Sequence, residues 1–244
     1  MSAENSAYRS AQELAADSKN EAALSAYREA LTKNWGDFRA AFGEGLMLQR
    51  LGRHEEAISS FTHVIWMRPD IAEAYYSRAG SRRDLKNFDQ ALHDTEHALR
   101  LNPNYTDAIY LRGVCLKGLE RYEEALEAFT TVLSRAGKYP PASHGRATIR
   151  RASGDHHGAI ADFSDCLAAG LDGYDIRLLR GLSYFYIGKF HESIEDLTLA
   201  IKMSPEDGSI YINRWQVYKA LGDDVNAAKD MEIGNRLLRS KRQP

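Results

Sequence analysis

The chain has 244 residues, 43% of them apolar, and its 32 basic and 34 acidic residues leave a formal charge of −2. A sizeable buried core is therefore possible, while the charge balance argues against a general nucleic-acid or membrane-surface binder, which needs an excess of Lys and Arg. Two distant cysteines, Cys115 and Cys166, lack metal-ligand spacing; the start from Met1 to Asn20 is polar, and no run of about eighteen apolar residues occurs. The expected address is the cytoplasm, with no leader and no membrane span.

The elements repeat with a period of 34. Counted from Glu4, seven copies follow without insertion or deletion: 4–37, 38–71, 72–105, 106–139, 140–173, 174–207 and 208–241. In each, places 1–14 read as one helix, place 15 as a break and places 17–30 as a second helix with its apolar face at places 20, 24 and 28. The first copy sets Ala23, Tyr27 and Leu31 on that face but lacks a turn glycine and looks degenerate. The second has Gly45 and the break Gly52, then Ala57, Phe61 and Ile65. The third has Ala79 and Lys86, then Ala91, Thr95 and Leu99, closing on Pro103. The fourth, with Gly113, Glu120, Ala125, Phe129 and Leu133, ends on Gly137 in place of a proline. Pro140 and Pro141 open the fifth, which continues through Ala147, Gly154, Ala159, Phe163 and Leu167. The sixth carries Gly181, Gly188, Ser193, Leu197 and Ile201 before Pro205. The seventh puts Trp215 where a small residue belongs, and Gly234 and Asn235 where the core should be apolar, as an end copy with one face in water does.

The stretch AEAYYSRAGSRRDLKNFDQALHDTEHALRLNPNY, Ala72 to Tyr105, closely resembles the tetratricopeptide repeat consensus: an early aromatic, a small eighth residue, alanine at the twentieth place and a closing proline. The resemblance covers essentially the whole chain. It implies an all-α fold, a right-handed superhelical solenoid of seven tandem helix-turn-helix units over residues 4–241. It also implies an adaptor or scaffold that holds a peptide or protein segment in a concave groove lined by the first helices, with no cofactor. A co-chaperone role is a related option, but no three consecutive copies satisfy the Lys/Asn/Arg clamp that such adaptors use for acidic chaperone tails.

Three constellations are worth weighing. His93 and His97, four apart on a helix, could share a zinc ion in a metal-dependent enzyme. Asp94, however, stands where a Glu base is needed, no third ligand presents itself, and both rings fall on the outward side. Arg78, Arg112, Arg146, Arg180 and Arg214 recur at place 7, and Asp94, Asp162, Asp196 and Asp230 at place 23, with Ala128 breaking the series. Those places are equidistant from the turn, so each Arg should face the Asp of its own copy, and the pairs read as structural. On the first helices, place 5 gives Tyr8, Phe42, Tyr76, Tyr110 and His144, and place 12 gives Gln49, Arg83, Lys117 and Arg151; Phe42, Tyr76, Tyr110 and His144 with Arg83, Lys117 and Arg151 are the groove candidates. Rings beside cations on one helical face suit a partner with acidic and apolar residues. A purely architectural subunit that uses its convex face is the remaining alternative.

Overall fold

All seven place-15 residues adopt left-handed backbone: Ser18 (φ 58°), Gly52 (73°), Lys86 (60°), Glu120 (60°), Gly154 (87°), Gly188 (76°) and Gly222 (78°). This conformation stops the first helix and lets the second fold back beside it. Glycine adopts it freely, while a side chain there costs about 1–2 kcal/mol. The computed structural model describes residues 3–240, with side chains from residue 8 onward. Among those residues every regular element is an α-helix, and fourteen helices agree with seven two-helix copies.

By packing, the chain divides into two compact halves, 1–128 and 129–244. The first holds α1 (Ala3–Ala16), α2 (Asn20–Lys33), α3 (Phe38–Arg50), α4 (His54–Met67), α5 (Ala72–Asp84), α6 (Phe88–Leu101) and α7 (Thr106–Gly118). The division falls inside α8 (Tyr122–Ala136). The second half holds α9 (Pro140–Ala152), α10 (His156–Ala168), α11 (Tyr174–Tyr186), α12 (Phe190–Met203), α13 (Gly208–Leu221) and α14 (Asp224–Ser240).

The core follows the period. Ala23, Ala57, Ala91, Ala125, Ala159, Ser193 and Ala227 are buried at place 20, and Tyr27, Phe61, Thr95, Phe129, Phe163 and Leu197 at place 24. Small residues at place 8 make room for them: a Cβ on Gly45 would sit 2.6 Å from the Phe61 ring. Removing such a ring would cost about 3–5 kcal/mol. Within each half, first helices touch their counterparts in the next copy, as α3 touches α5 and α11 touches α13. Second helices make no such contact among the described pairs. The first helices thus form the tighter layer of each stack.

The last copy departs where its sequence does. A Cβ on Gly208 would meet the Gly234 carbonyl oxygen at 2.6 Å, so two glycines bring α13 and α14 together in place of an apolar pair. Trp215 is only half-buried. Helix α14 runs through Arg236 and Arg239 to Ser240; Lys241, the expected end of the array, lies outside the described residues.

Candidate functional site

Four of the five place-7 arginines are pinned as their spacing requires. Arg78 reaches Asp94 through Nε (2.9 Å) and Nη2 (2.7 Å). Arg146 grips Asp162, Arg180 grips Asp196 and Arg214 grips Asp230 in the same two-pronged way, at 2.7–2.9 Å. All four carboxylates are buried, and such forked, charge-assisted bonds are the strong kind. Each junction has a third member that the spacing argument missed. The Nη1 group of the arginine donates to a hydroxyl of the preceding second helix: Thr62, Thr130, Ser164 or Thr198. The pair within a copy therefore also joins that copy to the one before it.

Arg82 and Arg150 stand next in sequence to Arg83 and Arg151 of the cation row. They bond Asp94 and Asp162 at 2.7 and 2.9 Å, because place 11 lies one helical turn beyond place 7. Residues 38–71 carry the same junction with its charges exchanged: Glu44 at place 7 accepts from Arg28 (2.8 Å) and from Ser60 (3.1 Å). Arg112, opposite Ala128, is the exception. Its Nε is buried, and its guanidinium has no hydrogen-bond or ion-pair partner among the described residues.

On the first-helix face of the N-terminal half, α3, α5 and α7 carry Phe42, Tyr76, Arg83, Tyr110 and Lys117, all partly exposed. Phe42 is shared with the core, its ring 5.5 Å from that of Phe61. Tyr76 leans on Tyr105, centroids 4.9 Å apart. Burial raises the phenol pKa of both Tyr76 and Tyr110, and the Arg83 cation opposes that rise at each, so the three groups share one electrostatic neighbourhood. Among the described residues Arg83 bonds only the surface carboxylate of Asp84, at 2.9 Å through Nε. A shallow cavity of about 370 Å³ opens here, lined by Gln49, Arg50, His54, Tyr76, Gly80 and Arg83 among others. Gln49, the place-12 residue of α3, is tied to Ser77 O (2.7 Å) and Ser81 Oγ (2.9 Å) and forms fixed wall. Lys117 has no hydrogen bond or ion pair among the described residues, and burial lowers its ammonium pKa.

The other two candidates belong to the C-terminal half. His144 on α9 lies with Nε2 3.6 Å from Asp175, an ion-pair separation when the ring is protonated, and edge-on to Phe163. Arg151, also on α9, keeps a buried Nε without a partner.

The remaining histidines and cysteines point to packing. His93 and His97 are neighbours, ring centroids 4.6 Å apart. His97, expected on a solvated face, is stacked on Tyr75 at 5.2 Å, and burial lowers its pKa. No group of three His, Cys, Asp or Glu side chains suited to a metal ion occurs among the described residues. His156, the first residue of α10, stacks on Tyr186 at 4.6 Å. Both cysteines are buried, which pushes the Cys115 thiol up to about 12 and Cys166 to about 11, far from reactive thiolates. Among the described residues no helix is long and apolar enough to cross a membrane.

Tetratricopeptide repeat family models match residues 8–65, 72–105, 106–139 and 174–207. No curated protein matches the chain in sequence. Several solved structures share the fold. A tetratricopeptide repeat protein from Parabacteroides merdae is 20% identical, with a TM-score of 0.70 over 96% of this chain and 93% of that one. PilW, described as a widely conserved type IV pilus biogenesis factor, is 18% identical, with a TM-score of 0.74 over 84% of this chain and 95% of its own. YrrB, described as having an unusual peptide-binding site, is 20% identical, with a TM-score of 0.61 over 73% of this chain and 92% of its own.

Proposed function

The chain belongs to the tetratricopeptide repeat family, and from that premise we propose that it is a non-catalytic, cytoplasmic protein-interaction scaffold. Its first-helix face captures a peptide or protein segment that carries acidic and apolar residues, in the manner of an adaptor or co-chaperone. The observation that carries this reading is Lys117. In a chain that pairs four of its five place-7 arginines with buried carboxylates, this half-buried ammonium has no counterion among the described residues on the face where Tyr76 and Arg83 open a cavity. Burying a charge without a partner lowers stability, so a ligand carboxylate is the natural complement. Arg83 can exchange its exposed Asp84 contact for a ligand at little cost, since exposed pairs contribute only about 0.2–1 kcal/mol. Apolar side chains of the segment would lie on Tyr76 and Tyr110, with Phe42 at one end. In the C-terminal half, α9 separately carries Arg151, with its unbonded Nε, and His144.

The test is partner capture from native extract. Arg83→Glu combined with Lys117→Glu should lose the partners that the parent protein retains at the same salt concentration, with unchanged helical content. Arg151→Glu, made separately, should weaken capture. Retention of the same partners by the double variant would refute this face as the binding site.

A further inference from the structure

A second surface lies away from the first-helix face. Trp35, in the link between α2 and α3, and Trp66, near the end of α4, are 61% and 70% exposed, yet their rings lie only 5.5 Å apart. His63 sits beneath Trp35 with ring centroids 4.0 Å apart, its Nε2 buried and without a hydrogen-bond partner. Trp35 stands at place 32, which is proline in three other copies, and the second copy has Ala41 at place 4 where the third has Tyr75. Tyr75 covers His97 from the first helix; over the equivalent His63 the covering ring is the tryptophan of the link. One face of each indole is thereby steadied while the other stays in water. Burial in the core is not what these indoles provide.

We propose that Trp35 and Trp66 form a docking site for a short, extended, proline-containing acidic segment of a partner protein. The exposed pair is a small target. An indole side chain offers roughly 150–250 Å², so at these exposures the pair presents about 200–330 Å², against about 800 Å² per partner in a stable dimer. An extended proline segment fits, because its ring stacks on an indole face and its backbone is already ordered before binding. Rigid, pre-placed aromatics lose little entropy when they accept it. Charge points the same way. Arg39 and Arg68 flank the Phe38 ring, four and two residues from the tryptophans, at 5.8 and 5.0 Å. Asp70 already engages Arg68 (2.8 Å), but Arg39 has no carboxylate partner among the described residues. A ligand acid beside the proline would complete it.

The chain has three tryptophans, so Trp215→Phe leaves two indole N–H reporters. The probe is a synthetic peptide of Pro-Pro steps separated by Asp, titrated into the full chain and followed by the two indole NMR signals. Both signals should shift and saturate. Trp66→Ala should weaken binding at least about tenfold, as loss of an aromatic anchor does, and Arg39→Glu severalfold, with unchanged melting temperatures. A peptide with Ala for Pro should leave the signals in place. No saturable shift, or an equal affinity for the Ala peptide, would overturn the proposal. So would shifts produced by anionic lipid vesicles and not by the peptide, which would assign the patch to a membrane surface. Shifts that depend on protein concentration alone, with a dimer lost in Trp66→Ala, would assign it to a second copy.

Discussion

Arg78 and Arg112 occupy the same place on consecutive first helices, and their surroundings could hardly differ more. Arg78 is held by both oxygens of buried Asp94 and by the Thr62 hydroxyl of the preceding copy. Arg112 faces Ala128 and has neither. The fold tolerates one open junction because the other four and the exchanged Glu44–Arg28 junction each link a copy to its neighbour. Cations that the fold needs are paired, so an unpaired cation marks either a gap in that network or a surface kept for something else. Arg112 is the first kind, and the proposed function makes Lys117, about one and a half turns along the same helix, the second.

The largest effect should come from removing a shared anion. Asp94→Ala strands Arg78 and Arg82 together and should destabilise by about 3–5 kcal/mol, the range for breaking a buried pair by removing one partner, read as a lower denaturant midpoint. A loss under about 1 kcal/mol would mean that water replaces the carboxylate and that the junctions are surface pairs. Arg180→Ala should cost less, because Arg177 also reaches Asp196, at 3.4 Å. Filling the gap runs the other way. Ala128→Asp gives Arg112 its missing partner and should raise stability by about 1 kcal/mol, net of burying the carboxylate. A drop in midpoint would show that Arg112 cannot turn to meet it.

A smaller gain, up to about 1 kcal/mol each, is expected for Lys86→Gly and Glu120→Gly. Both residues hold positive φ at the turn where four other copies use glycine. Equal midpoints would mean that glycine's extra unfolded-state freedom cancels the relief.

Much of this was legible in the letters. The period of 34 gave the helix pairs and the core, and the hairpin's symmetry paired place 7 with place 23 before any coordinates. The hydroxyls at Thr62, Thr130, Ser164 and Thr198 recur on the same period, but their role depends on how one copy stacks on the last, which within-copy spacing does not encode. Arg82 stands only one place before Arg83, but a single place along a helix turns the side chain about 100°, here toward Asp94. The Trp35–Trp66 contact escaped notice for a different reason. It joins a link residue to a helix, and no helical period relates the two. Among the groove candidates, the sequence could show that Phe42, Tyr76 and Arg83 share a face; it could not show that Phe42 is half spent on the core or that Asp84 shadows Arg83.

Cations that build the fold are held by its buried carboxylates, those proposed to bind are not, and Lys117→Met tests that separation most directly. Burial lowers the Lys117 pKa in the folded state below its unfolded value, so between those values the unfolded chain carries more protons and stability rises with pH. Below both values the ammonium is charged in the two states alike, and the full cost of burying it stands. Replacing it by methionine should therefore raise the unfolding midpoint at pH 7 while partner capture at matched salt falls. A variant that captures its partners as well as the parent, or that unfolds more easily, would contradict the account.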